Sequence, residues 1–173
     1  MMKIFFLLRK AAVSSAVLCL AACAFSGDIP RLQSWPQWKS SETQWFRLEL
    51  LDPAGNVAQT SLLAVQPEAE NIRFVQTDAL GAPVSRQILD RQGWINEGFV
   101  PPNRESRRLF GAMLPLLIQS DDTLYPQQQI RRDDGETLYL SGNRELWRIR
   151  VSDGHTDILF PDGKQWRVSQ IEP

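Results

Sequence analysis

The chain has 173 residues, with 19 lysines and arginines, 20 aspartates and glutamates and one histidine. Three of the cations lie in the first ten residues; beyond them 16 face the same 20 acids, an acidic balance that argues against a nucleic-acid footprint or a membrane patch held by charge. Two cysteines and one histidine give neither a disulfide framework nor a zinc-ligand set.

The first predicted element is a leader. Lys3, Arg9 and Lys10 precede an apolar stretch from Ala11 to Ala22 that is too short to span a bilayer, so residues 1–22 read as a secretory signal peptide. The stretch closes in Leu20-Ala21-Ala22-Cys23, which resembles the bacterial lipobox, where small residues precede a cysteine that is acylated after cleavage. The plain alternative is a cut after Ala22 that leaves Cys23 a thiol; the class of signal and the position of the cysteine both favour lipidation. Each buried methylene of an acyl chain contributes about 0.8 kcal/mol, so several chains on Cys23 hold the protein on a membrane. Ala24 stands where an aspartate commonly retains bacterial lipoproteins at the inner membrane, which points to the outer membrane and its periplasmic face.

Cleavage leaves 151 residues, enough for one domain with a packed core. Residues 23–40 read as a lipidated tether, since Pro30 and Pro36 and the polar residues around Trp35 and Trp38 disfavour a long helix. Residues 41–173 read as the domain. Strands follow from Gln44 to Leu51, with Phe46, Leu48 and Leu50 on one face, and from Val57 to Val65, around the turn Asp52-Pro53-Ala54-Gly55-Asn56. Ile72 to Asp78 and Val84 to Asp90 flank Ala79-Leu80-Gly81-Ala82-Pro83, and a fifth strand runs from Trp94 to about Val100.

One helix interrupts the strands. Pro101-Pro102-Asn103 is its entry, with Asn103 as N-cap, Glu105 in the first turn, and Leu109, Phe110, Met113, Leu114, Leu117 and Ile118 at helical spacing. Pro115 is expected to kink or divide it, and Arg104, Arg107 and Arg108 oppose the helix dipole at its start. The apolar stripe is read as a core face, with a lid over a hydrophobic cavity as the functional alternative. After a link through Tyr125 and Pro126, strands resume at Gln128 to Arg132, Thr137 to Ser141, Arg144 to Val151, Thr156 to Phe160 and Gln165 to Ile171, joined by turns of tight-hairpin chemistry. The fold class is mainly β with α: an antiparallel meander of about ten strands forming a curved, incomplete barrel with a helical segment against its concave face.

Chemistry is sparse. His155 falls in a hairpin turn beside Asp153, no serine lies in a nucleophile elbow, and no mature thiol is free once Cys23 is acylated. Asp121-Asp122 and Asp133-Asp134 lack calcium-loop spacing, and no glycine-rich phosphate loop occurs. Convergence of Glu49, Glu97 and Glu145 as a hydrolase dyad is the one enzymatic arrangement left open, so the expectation is a protein that is not an enzyme and needs no metal or cofactor. The strands carry Trp45, Phe46, Phe74, Trp94, Phe99, Trp147, Phe160 and Trp166, which either fill a core or line a cavity for acyl chains.

The lipobox, the strand series, the single helical interruption and the segment Thr77-Asp78-Ala79-Leu80-Gly81-Ala82-Pro83 together resemble a small bacterial lipoprotein family associated with aryl-polyene-type synthesis genes. That family is in turn similar to the outer-membrane lipoprotein receptor of the lipoprotein-localisation pathway. The resemblance implies an unclosed barrel whose concave face binds acyl chains beneath helices, a periplasmic carrier protein as partner, and a membrane or transfer-loop role for Leu80, which the residue pattern alone reads equally as a leucine buried beneath its turn. Combined with the residue pattern, the expected cavity or lid residues are Leu109, Phe110, Met113, Leu117, Phe46, Phe74 and Trp147. The expected function is a lipid-anchored outer-membrane protein that binds a hydrophobic acyl-bearing ligand, a lipid or a lipoprotein, and helps to deliver it to the membrane. Its rival is a structural or accessory lipoprotein with a filled core that binds a protein partner through a sheet edge.

Overall fold

A computed structural model describes residues 29–119, 124–125 and 128–172. The leader, Cys23 and Asp121-Asp122 lie outside the described residues. Ten antiparallel strands form one open sheet: β1 (Gln44–Leu51), β2 (Val57–Pro67), β3 (Asn71–Asp78), β4 (Pro83–Asp90), β5 (Gly93–Asn96), β6 (Gln128–Asp133), β7 (Glu136–Ser141), β8 (Arg144–Ser152), β9 (His155–Leu159) and β10 (Gln165–Ile171). A single helix among the described residues, α1 (Arg104–Leu117), stands between β5 and β6. The fold class agrees with the sequence pattern.

The strand order is β5-β4-β3-β2-β1-β10-β9-β8-β7-β6. A single sequential meander would place β5 beside β6, but these strands form the two edges. The first strand is paired to the last from Trp45↔Ile171 to Leu51↔Gln165. Two meanders are thus joined at the middle, and the chain crosses from one edge to the other through α1. Strand bounds fall within a few residues of those read from alternation except at β5, which stops at Asn96. After the Glu97 amide donates to the Arg86 carbonyl, Gly98 at φ 73° takes the chain out of the ladder and Pro101-Pro102 keep it out. Phe99 is therefore not a strand residue. At β1, the register shift between Leu50 and Leu51 leaves Leu50 half-buried and turns Leu51 inward, against the simple alternation.

The helix starts as its sequence dictates, with the Asn103 side chain accepting from the Ser106 amide at 3.0 Å. Pro115 does not divide it; the helix is continuous to Leu117. Proline at position 115 removes the amide that would bond the Gly111 carbonyl, and the buried Tyr125 hydroxyl donates to that oxygen at 3.0 Å instead. Burial pushes the Tyr125 phenol far above its usual value, so it stays a donor at any physiological pH. Tyr125→Phe should therefore leave a buried carbonyl unpaired and cost about 1 to 3 kcal/mol, read as a shift in denaturant midpoint with unchanged slope.

Ser106, Leu109 to Leu114 and Leu117 are buried. Phe110 stacks on Phe74 of β3 at 4.9 Å and lies 6.4 Å from Trp94 of β5, while Tyr125, bonded to the helix, meets Trp147 of β8 edge-on at 5.7 Å. One helix touches side chains from both halves of the sheet, so the sheet curves around it. From Ile29 onward the expected tether packs on the domain: Ile29, Leu32, Trp35 and Trp38 lie against the core, and Trp38 bridges to Ile118. Gly111 permits this approach, since a Cβ there would fall 2.3 Å from Ile29 Cδ1. Among the described residues no helix is long and apolar enough to cross a membrane.

Candidate functional site: a cleft beside the helix

The concave face is filled. Leu109, Phe110, Met113, Leu117, Phe46 and Phe74, expected to border a cavity, are all buried within one continuous apolar cluster with α1. The wide helical stripe is core, as large apolar side chains opposed by two halves of a curved sheet pack to crystal-like density. Trp147 belongs to the same buried cluster, at 2% exposure, and also lines the cleft beside the helix.

The helix start is also tied down. Ser106 Oγ donates to Gln76 Oε1 at 2.6 Å and Gln76 Nε2 donates to Ser61 Oγ at 2.8 Å, a buried chain that links α1 to β3 and β2. Beside it Gln87 Nε2 donates to Ser85 Oγ and to the Asn103 carbonyl, both at 2.9 Å, and Gln87 Oε1 accepts from Arg107 Nε at 3.0 Å. Moving α1 would leave several of these groups buried and unpaired at about 1 to 3 kcal/mol each. This network is unfavourable to a lid that swings at its first turn. Buried glutamines on the neighbouring strands β3 and β4 gave it no sequence signal beyond polar residues at inward positions.

Open space lies to one side of the helix. A cleft of about 790 Å³ runs between the first half of α1, the lead-in at Ile29, β8 and the β9–β10 turn. Its apolar lining is Ile29, Leu146, Trp147, Phe160 and Trp166, and its cations are Arg104, Arg107, Arg108, Arg144 and Lys164. Glu105, Glu145 and Asp162 are its carboxylates. Arg108 donates to Asp162 at 2.5 Å and its guanidinium lies 4.1 Å from the centre of the Phe160 ring. Partial burial alone would raise the Asp162 carboxyl, but the Arg108 hydrogen bond and the Lys164 amide outweigh it and hold the group below the usual carboxylate range. Lys164 pairs with Glu105 at 2.6 Å, closing the turn onto the helix start.

The remaining candidates are placed as follows. Leu80 is 94% exposed at the tip of the β3–β4 turn, where Asp78 Oδ1 accepts from the amides of Leu80 and Ala82 at 2.9 and 2.8 Å and Gly81 takes φ 85°. Phe99, which the pattern groups with the strand aromatics that fill a core or line a cavity, is instead fully exposed beyond the end of β5. Thr77↔Pro83 closes the Leu80 turn, whereas Phe99 lies beyond the last β4–β5 pair, Gln87↔Asn96. Glu49, Glu97 and Glu145 do not converge; each faces its own arginine, Arg47 at 3.5 Å, Arg73 at 3.2 Å and Arg148 at 2.9 Å. His155 is half-buried at the start of β9, 3.9 Å from Asp157, which is engaged by Arg167 at 3.0 Å. Among the described residues no cluster of histidine, cysteine, aspartate and glutamate is arranged to hold a metal. Comparison with protein-family models and with curated proteins finds no match.

Proposed function

We propose that this chain is a lipid-anchored protein of the periplasmic face of the outer membrane that takes a hydrophobic acyl-bearing molecule into the cleft beside α1 and helps to deliver it to the membrane. The observation that carries this is the cleft itself: about 790 Å³, lined by the apolar residues Ile29, Leu146, Trp147, Phe160 and Trp166 together with charged groups, within the size range of small-molecule sites. Burial of an acyl chain there contributes about 25 cal/mol for each Å² of apolar surface removed from water.

The anchor is consistent with that geometry. The lead-in runs from Trp38, bridged to Ile118 at the helix end, back to Ile29 against Gly111. Cys23 is six residues before Ile29, a reach of at most about 20 Å. The rival, an accessory protein bound through a sheet edge, draws support from the filled core. Its edges are poor templates: β5 spans four residues, and β6 ends in the exposed run Arg131, Arg132 and Asp133.

The test is photolabelling of the full processed chain in phosphatidylcholine nanodiscs with palmitic acid bearing a mid-chain diazirine. The expected result is adducts on the segments that carry Leu146, Trp147, Phe160 and Trp166, suppressed by unlabelled palmitate. Adducts spread over the exposed surface, or none, would overturn the acyl-binding role.

A further inference from the structure

We infer that the cleft selects ligands with an acidic head, a phosphate or a carboxylate, which the arginines at its border bind while the chain lies on the aromatic floor. This rests on the proposed role of the cleft as the acyl site. Its carboxylates are paired with cations: Asp162 with Arg108, Glu105 through Oε2 with Lys164 while its Oε1 is buried without a hydrogen bond, and Glu145 with Arg148, which lies outside the cleft. Among the described residues three guanidiniums of the cleft have no counter-charge. Arg107 donates only to the neutral oxygens of Gln87 and Asn96, at 3.0 and 3.4 Å. Arg104 and Arg144, both exposed, have no hydrogen-bond or carboxylate partner among the described residues.

An excess of positive charge in one cleft is notable in a chain whose net charge is −1. It is also placed against local stability. Arg104 is the first residue of α1, where the partial positive charge of the helix terminus disfavours a cation, and Arg107 and Arg108 follow within the same turn and the next. A bound anion reverses the sign of each of these terms, because guanidiniums bind phosphate and carboxylate through paired charge-assisted hydrogen bonds.

The experiment uses the full processed chain in phosphatidylcholine nanodiscs that contain a diazirine-acyl phosphatidic acid or a diazirine-acyl phosphatidylcholine, with inorganic phosphate followed separately by ³¹P line width. Phosphatidic acid should label the cleft at least about tenfold more than phosphatidylcholine, as expected for one or two charge-assisted contacts. Arg104→Gln with Arg144→Gln should reduce that preference to near unity, while Arg47→Gln with Arg86→Gln, which removes equal charge elsewhere, should retain it. The cleft variant should melt no lower than the parent, because Arg104→Gln removes a cation opposed to the helix dipole. Broadening of inorganic phosphate by the parent but not by the cleft variant, without a lipid preference, would support the acidic-group site and assign it to a free anion. Equal cleft labelling by both lipids without phosphate broadening would overturn the inference and leave acyl binding standing. An equal loss in both variant pairs would also overturn it, by tracing the preference to overall charge. Absence of cleft labelling by every lipid, with no phosphate effect, would overturn both proposals.

Discussion

Phe110→Ala should lower the free energy of unfolding by about 3 to 5 kcal/mol, the range for removal of a large buried side chain. Phe110 is fully buried, stacked on Phe74 at 4.9 Å and close to Trp94, and those two rings are themselves 5.3 Å apart. Three aromatic side chains from α1, β3 and β5 therefore share one contact, and deletion of the central ring leaves a void that the sheet cannot close without moving both strands. Chemical denaturation with matched slopes measures the loss. Because Phe110 does not line the cleft, acyl labelling at Trp147 and Phe160 should persist in variant molecules that remain folded. A change below about 1 kcal/mol together with loss of labelling would instead place Phe110 at a ligand surface.

That distinction was beyond the sequence, and the reason is physical. A helix with apolar residues over a wide arc has the same periodicity whether it covers ligand or fills a core, because the pattern records which faces avoid water and not what replaces it. The strands were legible through alternation at Phe46 and Leu48 and through Asp-x-x-Gly turns at Asp52 and Asp78, whose carboxylates accept backbone amides two and four residues on. The N-cap at Asn103 was legible for the same reason: its chemistry is local. Long-range features were not. Pairing of β1 with β10 joins residues more than a hundred positions apart, and no local signal announces it. Pro115 reads as a kink or a break because the compensating hydroxyl, Tyr125, lies outside the helix.

The cleft illustrates the same limit. Arg104, Arg107 and Arg108 stood out in sequence as cations opposed to a helix dipole, but the meaning of that conflict depends on Arg144 and Lys164, brought in by two hairpin turns from the far half of the sheet. Only Trp147 among the expected ligand-binding residues reaches this space, together with Phe160 and Trp166, which the pattern grouped with core aromatics.

Leu80→Glu should change stability by less than about 0.5 kcal/mol and still abolish delivery of bound lipid to vesicles. The stability half follows from the turn. Asp78 and Gly81 hold its backbone, and the Leu80 side chain, 94% exposed, makes no packing that glutamate would lose. The delivery half follows from the proposed function. An exposed leucine at the tip of a turn gains free energy by entering the hydrocarbon boundary, whereas a carboxylate there must first shed its hydration, at a cost of several kcal/mol. The cleft lining does not include Leu80, so acyl labelling in nanodiscs should remain at the parental level while transfer of a fluorescent lipid to acceptor vesicles stops. Leu80→Ala should slow transfer without stopping it, since it removes apolar surface but adds no charge. A lower melting temperature in Leu80→Glu would show that the leucine supports the turn. Undiminished transfer in a stably folded Leu80→Glu would instead remove this end of the sheet from the delivery step and leave the cleft and the anchor to account for function.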